Sequence, residues 1–433
     1  MTTVALALLL LVPLAPPPPG GDPKPVPATR EEVKAALEAH KAARPRLPLP
    51  PTGTEGQGVF AKVNNARFRA YYLPDTPRDS GFSPDPALTL DGTFKVKLFW
   101  VVSRVNNCYY CLGHQEHKLL AAGVPDDGIA ALDGDWKGLP ARDEAALAFT
   151  RKLAFTPHLV TPDDVATLGK HYTPAETLEV VVTVANFCST NRWTDGLNIP
   201  LEADGEFFKK GAVDLSKYTT PTSPKYSGVR SAVAPLAEGA KQASAPKAPA
   251  RPPLETREQV EAKWKEARTR KPALPLAEAA DAKRVAGAGP VSNWVRLAAA
   301  FPKAAAERIA ETHTAAEKGK LSARLKAMIA WAAAREDRAW YALAVARDRL
   351  NAAGLTDDQA FALDGDAKDL PEKERLLLAF VRKLTLGSSL VADADVDALR
   401  KAFSDHEVAE IVYQTCNAAY FDRVAEAARL PLD

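Results

Sequence analysis

Cys108 and Cys111 stand three positions apart and His114 follows after another three, in the run Asn106-Asn107-Cys108-Tyr109-Tyr110-Cys111-Leu112-Gly113-His114-Gln115-Glu116-His117. Two thiols and an imidazole at that spacing can do redox chemistry. Side chains three apart on a helix share a face, so the two thiols can bridge with modest adjustment. One thiolate can attack a peroxide O–O bond and become a sulfenic acid, which the other thiol resolves as a disulfide. An imidazole beside them can exchange a proton near neutral pH. Asn106 or Asn107 is suited to cap the helix that follows, which puts Cys108 in its first turn. The free N–H groups and the dipole there lower a thiol pKa. Tyr110, Glu116 and His117 share that helix and are candidates for a proton relay.

Three other readings compete for these residues. A c-type haem site needs His directly after the second Cys, and Leu112 is there. Four zinc ligands at 108, 111, 114 and 117 would be strung along a helix rising about 1.5 Å per residue, too far apart to surround one tetrahedral ion. Two or three of them with a distant ligand stay open as a metal site. The bland reading makes both cysteines small buried apolar residues. For Cys188 and Cys416 that bland reading is preferred.

The elements that must position these residues occur twice. Ala121-Ala122-Gly123 recurs as Ala352-Ala353-Gly354, and the same offset carries Arg151-Lys152-Leu153 onto Arg382-Lys383-Leu384. Between positions 121 and 153 more than half of the sequence recurs at that offset without a gap, which chance does not produce. Further on, Glu176, Asn186 and Arg192 match Glu407, Asn417 and Arg423. The second copy is an internal control. Cys108, Cys111 and His114 become Ala339, Ala342 and Val345, while Trp100 and Tyr110 persist as Trp331 and Tyr341. The thiol chemistry is therefore expected in one copy only. Asp133-Gly134-Asp135 stands in both copies and reads as a loop and cap device.

Each copy reads as helical. Lys95 to Val105 and Lys326 to Arg335 are apolar runs, and Ala145, Leu147, Ala148, Phe149 and Leu153 keep helical spacing. Thr161-Pro162 and Thr173-Pro174-Ala175-Glu176 are helix starts, the second with capping-box spacing. Leu178 to Phe187 is β-branched enough for a strand, but the box before it predicts a buried helix. The fold class is all-α, with two tandem helical domains at 23–218 and 256–433. A Pro/Ala-rich linker at 219–255 joins them.

Composition excludes other classes. The chain has 433 residues, 46% hydrophobic and 25% charged, with a net charge of +2. Neither wholesale disorder nor a nucleic-acid footprint fits those values. Residues 1–22 carry an apolar run from Val4 to Ala15, near the length of a secretory h-region and short for a bilayer span. The expectation is export to a periplasm or cell envelope, with a retained anchor or a cytoplasmic protein as alternatives.

With these residues in hand, the sequence resembles the alkylhydroperoxidase D / carboxymuconolactone decarboxylase superfamily. The resemblance rests on the apolar helix, Asn-Cys-x-Tyr-Cys, the following His, and the Ala-Ala-Gly and Leu-Pro segments after it. It covers roughly 60–210, and 290–430 in weaker form. It implies an all-α oligomeric fold and a thiol peroxidase in which Cys111 meets the peroxide, Cys108 resolves and His114 is the imidazole partner. Its partners would be a peroxide and a dithiol reductant, and no cofactor is expected. The two arms would form a pseudo-dimer, or the chain a homo-oligomer. Two positions depart from the family. A Glu usually stands twelve positions before the first Cys, where this chain has Val96, and the essential His usually stands where this chain has Gln115. The relay is then either incomplete or rebuilt, with Glu116 as one candidate. A degenerate binding or scaffold protein is the alternative function.

Overall fold

A computed structural model describes residues 23–51, 63–75, 85–202, 222–365 and 368–433. The leader expectation at 1–22, the first residues of the linker at 219–221, and Asp366 of the second Ala-Leu-Asp-Gly-Asp motif lie outside them. Among the described residues the secondary structure is eighteen α-helices, short 3-10 turns and one isolated β-bridge, Val26 to Ser244. The first arm holds α1 (Arg30–His40), α2 (Asn64–Tyr72), α3 (Gly92–Asn106), α4 (Tyr109–Ala121), α5 (Asp126–Ala131), α6 (Ala141–Phe155), α7 (Pro162–Gly169) and α8 (Pro174–Gly196). The second holds α9 (Arg257–Thr269), α10 (Ala279–Ala286), α11 (Asn293–Ala298), α12 (Pro302–Glu317), α13 (Ala323–Asp337), α14 (Trp340–Ala352), α15 (Asp357–Ala362), α16 (Glu372–Leu386), α17 (Asp393–Arg400) and α18 (Asp405–Ala427). Helices α13 to α18 repeat α3 to α8 with every start and end displaced by the offset of the sequence repeat.

The β-branched run falls inside α8. Thr173 accepts from Glu176 N at 3.2 Å, and Glu176 accepts from Thr173 N at 2.8 Å. Val180, Val181 and Val184 are fully buried on different sides of the helix. A helix enclosed all round gains from every apolar residue, which outweighs the modest cost of β-branching.

Asp133 corrects its reading as a loop and cap device. It accepts from Trp100 Nε1 at 3.1 Å and Arg104 Nε at 2.9 Å, tying the end of α5 to α3. Asp364 does the same for Trp331 and Arg335, at 2.9 and 2.7 Å. Buried donors of this kind are costly to leave unpaired, so the aspartate is a core clamp in both arms.

Helices α8 and α18 pack on one another, and one apolar core runs through both arms. The contact is reciprocal. Helix α8 meets the 3-10 turn Ser388–Leu390, and α18 meets its counterpart Pro157–Leu159. The described part of the linker has no helix and lies against the folded arms. Ser231 N donates to Ala28 O at 2.7 Å, Ala232 N donates to Asp133 O at 2.8 Å, and Val233 is buried.

Candidate active site

The site is built on the junction of α3 and α4. Asn107 ends α3 with φ 57°, in the left-handed region, and turns the chain sharply into α4. Asparagine tolerates that region better than most residues. Its side-chain amide donates to Lys24 O at 3.1 Å and Pro25 O at 3.0 Å, which ties the turn to the extended segment before α1. Neither Asn106 nor Asn107 caps α4. The N-cap is Cys108 itself, whose Sγ accepts from Cys111 N at 3.4 Å.

Both thiols converge on α8. Thr194 Oγ1 lies 3.1 Å from Cys108 Sγ and 3.3 Å from Cys111 Sγ. The Thr194 hydroxyl also donates back to Thr190 O at 3.1 Å. Its one proton is thereby used, so it faces the two sulfurs as an acceptor and favours their S–H forms. Both cysteines are unbridged and buried, 0% and 2% exposed.

The expectation of a lowered pKa at the helix start fails for Cys108. Burial pushes its thiol well above the usual range, and the hydrogen bond with the Cys111 thiol and the charge of Asp195 push the same way. The helix dipole is the weaker influence here, because a charge at a fully enclosed sulfur loses its hydration. Asp195 is held in place by Lys24 at 2.5 Å and by Ser388 Oγ, from the second arm, at 2.9 Å.

His114 meets a carboxylate that lies far along the chain. Its Nε2 is 2.9 Å from Glu202 Oε2, beyond the end of α8. Tyr110 donates to Glu202 Oε1 at 2.8 Å, and Asn64 N donates to the same oxygen at 2.7 Å. Burial alone would raise the Glu202 carboxyl. The charge of His114 and these hydrogen bonds outweigh it, so the group stays below its ordinary range and ionised. An ionised carboxylate only accepts, so Nε2 is the protonated nitrogen and Nδ1 is the basic one in a neutral ring.

The other relay candidates sit elsewhere on α4. Glu116 is in a buried ion pair with Arg30 on α1, and Arg30 also reaches Asp126 at 2.8 Å. Burial lowers the His117 pKa, with His114 and Lys118 adding to the effect. At position 96, Val96 stands between Lys95, which pairs with Glu179, and Lys97. Among the described residues no three His, Cys, Asp or Glu side chains gather as a metal site.

Sequence reasoning missed Thr194 and Glu202. A signal for Glu202 existed in the repeat: Asp433 is its counterpart at the repeat offset, and Tyr341 OH lies 2.6 Å from Asp433 Oδ2. Asn293 N donates to Asp433 at 2.6 Å, as Asn64 N does to Glu202. The carboxylate and tyrosine are thus common to both arms, while the thiols and imidazole belong to the first alone. Comparison with protein-family models finds no match for the chain, and comparison with curated proteins finds none.

Proposed function

We propose that the first arm is a thiol-dependent redox centre, a peroxidase or disulfide reductase worked by Cys111 and Cys108. The observation that carries this reading is the convergence of both sulfurs on Thr194 Oγ1, at 3.1 and 3.3 Å, at the start of α4. Further support comes from the ionised Glu202 holding His114. In the peroxidase cycle the Cys111 thiolate attacks the O–O bond of a hydroperoxide. Cys111 becomes a sulfenic acid, and the alcohol leaves with the proton given up by the thiol. Cys108 then attacks that sulfur, releasing water and leaving a Cys108–Cys111 disulfide. An external dithiol returns the pair to thiols. His114 is the group suited to carry the proton from Cys111 to the leaving oxygen, with Glu202 orienting its ring. The high thiol pKa of Cys108 suits a resolving thiol, which has to attack only after the first step. In an exported protein the pair would rest as the disulfide between turnovers.

One equivalent of hydrogen peroxide should consume two of the four thiols and leave a Cys108–Cys111 bridge, mapped by mass spectrometry. Cys111→Ser should abolish peroxide turnover supported by dithiothreitol, and Cys108→Ser should stop at a sulfenic acid that dimedone traps. Four unchanged thiols after peroxide treatment would sink the proposal. The burial of both sulfurs favours a second reading, a binding protein with a silent centre, and that reading predicts the unchanged thiols.

A further inference from the structure

The second arm contains a cavity of about 510 Å³ where the first arm has its thiol site. It opens among α10 to α14 and α18, and Ala342, Val345 and Tyr341 line it. These are the counterparts of Cys111, His114 and Tyr110. The cavity is carved by large-to-small exchanges at matching positions. In the first arm Phe99 and Phe187 stack with ring centroids 3.7 Å apart and planes 3° from parallel. Their counterparts are Ala330 and Ala418, and both line the cavity. Gln115 likewise becomes Ala346. An unfilled space of this size forfeits packing that the fold otherwise keeps, and its volume lies within the usual range for small-molecule sites.

The cavity wall carries charge as well as apolar surface. Trp294, Ile309, Tyr420 and Phe421 supply the large apolar faces. Three cations reach it: Arg308, Lys326 and Arg349. Lys326 is held by Glu410 at 3.2 Å, as Lys95 is held by Glu179 in the first arm. Arg308 lies over the Tyr420 ring and donates to Asn417. Arg349 is solvent-exposed at the rim of the cavity, and its guanidinium forms no hydrogen bond or ion pair among the described residues. Two acids also face the space. Asp433 is already engaged by Tyr341 and Asn293. Asp422 is 2% exposed, and its Oδ2 has no hydrogen-bond partner among the described residues. It replaces Asn191, which bonds Asn106 at 3.0 Å and Ser103 at 3.3 Å in the first arm. Those partners have become Asp337, taken by Arg423 at 2.7 Å, and Ala334. Burial, and then the charge of Asp337, push the Asp422 carboxyl pKa up, against the pull of Arg423.

We propose that this cavity binds a small organic carboxylate with an aromatic or aliphatic body, its anion drawn to Arg349 and its apolar part lying against Trp294 and Tyr420. The second arm is then a ligand-binding module made by emptying the site that the first arm uses for thiols. Ligation depends on no cysteine, so its test is separate from that of the redox reading.

The full chain should be titrated with benzoate, 2-naphthoate and decanoate, following tryptophan fluorescence and heat. The neutral 2-naphthamide is the control. The expected result is one saturable site per chain, with a carboxylate bound about tenfold or more tighter than the amide, the effect of a hydrogen bond to a charged group. Arg349→Gln should remove that preference and leave amide binding unchanged. Ala330→Phe, which restores the residue of the first arm, should abolish binding of both and raise the melting temperature. Cys111→Ser should bind as the parent does. Saturable binding of none of the three acids would overturn the proposal, as would equal affinity for acid and amide. Binding that persists in Ala330→Phe or disappears in Cys111→Ser would place the ligand elsewhere and overturn it too.

Discussion

Glu202 joins three groups that the chain keeps far apart: the imidazole of His114, the hydroxyl of Tyr110 and the backbone N–H of Asn64. It is a positioning residue for His114, and its effect on stability has a definite sign. The folded-state pKa lies below the ordinary value of 4.5, so its stabilisation is full above that value and is lost as pH falls through the folded pKa. Glu202→Gln should destabilise the protein by about 1–3 kcal/mol at neutral pH, the worth of hydrogen bonds to a charged group. Urea denaturation across the acid range should show that difference shrinking below pH 4.5. A constant difference down to strong acid would mean that Glu202 is not ionised in the fold. The spacing of Cys108, Cys111 and His114 was legible because one helical segment holds all three, whereas Thr194 and Glu202 carry no motif and reach the site only through the path of α8.

At the scale of elements, the turn between α3 and α4 sets where the thiols point. Asn107 supplies both the left-handed backbone and two hydrogen bonds to the segment before α1. Asn107→Ala should therefore cost about 1–3 kcal/mol, combining a left-handed alanine with lost hydrogen bonds. Thermal or chemical denaturation would measure it, and an unchanged midpoint would show that another residue fixes the turn. The second arm makes the same turn with Arg338 at φ 52°, whose guanidinium donates to Pro252 O at 2.6 Å. The junction is a property of the duplicated scaffold and the chemistry was placed on it. Helix existence was readable from caps and apolar spacing at α3, α6, α7 and α8 and at the copy of α3 in the second arm. The cap of α4 was misassigned because two asparagines look like ideal N-caps, while the left-handed turn moves the boundary one position on.

At the scale of the molecule the two arms are one packed body. Arg192 on α8 donates to Thr385 O at 2.8 Å, and Arg46 donates to Val391 O at 2.6 Å across the same contact. Gly196 lets the helices close: a Cβ there would stand 3.1 Å from Val412 Cγ1 and 3.5 Å from Leu384 Cδ1. Gly196→Leu should overpack this contact and cost about 1–3 kcal/mol. A lowered melting temperature would be expected, and an unchanged one would mean that the arms tolerate separation. Ser388 gives the contact a chemical consequence, since a residue of the second arm orients Asp195 beside Cys108.

The duplication, the helical class, the paired cysteines and the loss of thiols in the second copy were all determined by the sequence, because each depends on residue identity at short or constant spacing. Only the tertiary structure decided how those residues behave. Burial set the ionisation of Cys108, since solvation depends on everything packed around a sulfur and not on its neighbours in the chain. The carboxylate for His114 came from a residue 88 positions away. The cavity in the second arm follows from alanines whose effect exists only where three-dimensional packing puts them side by side.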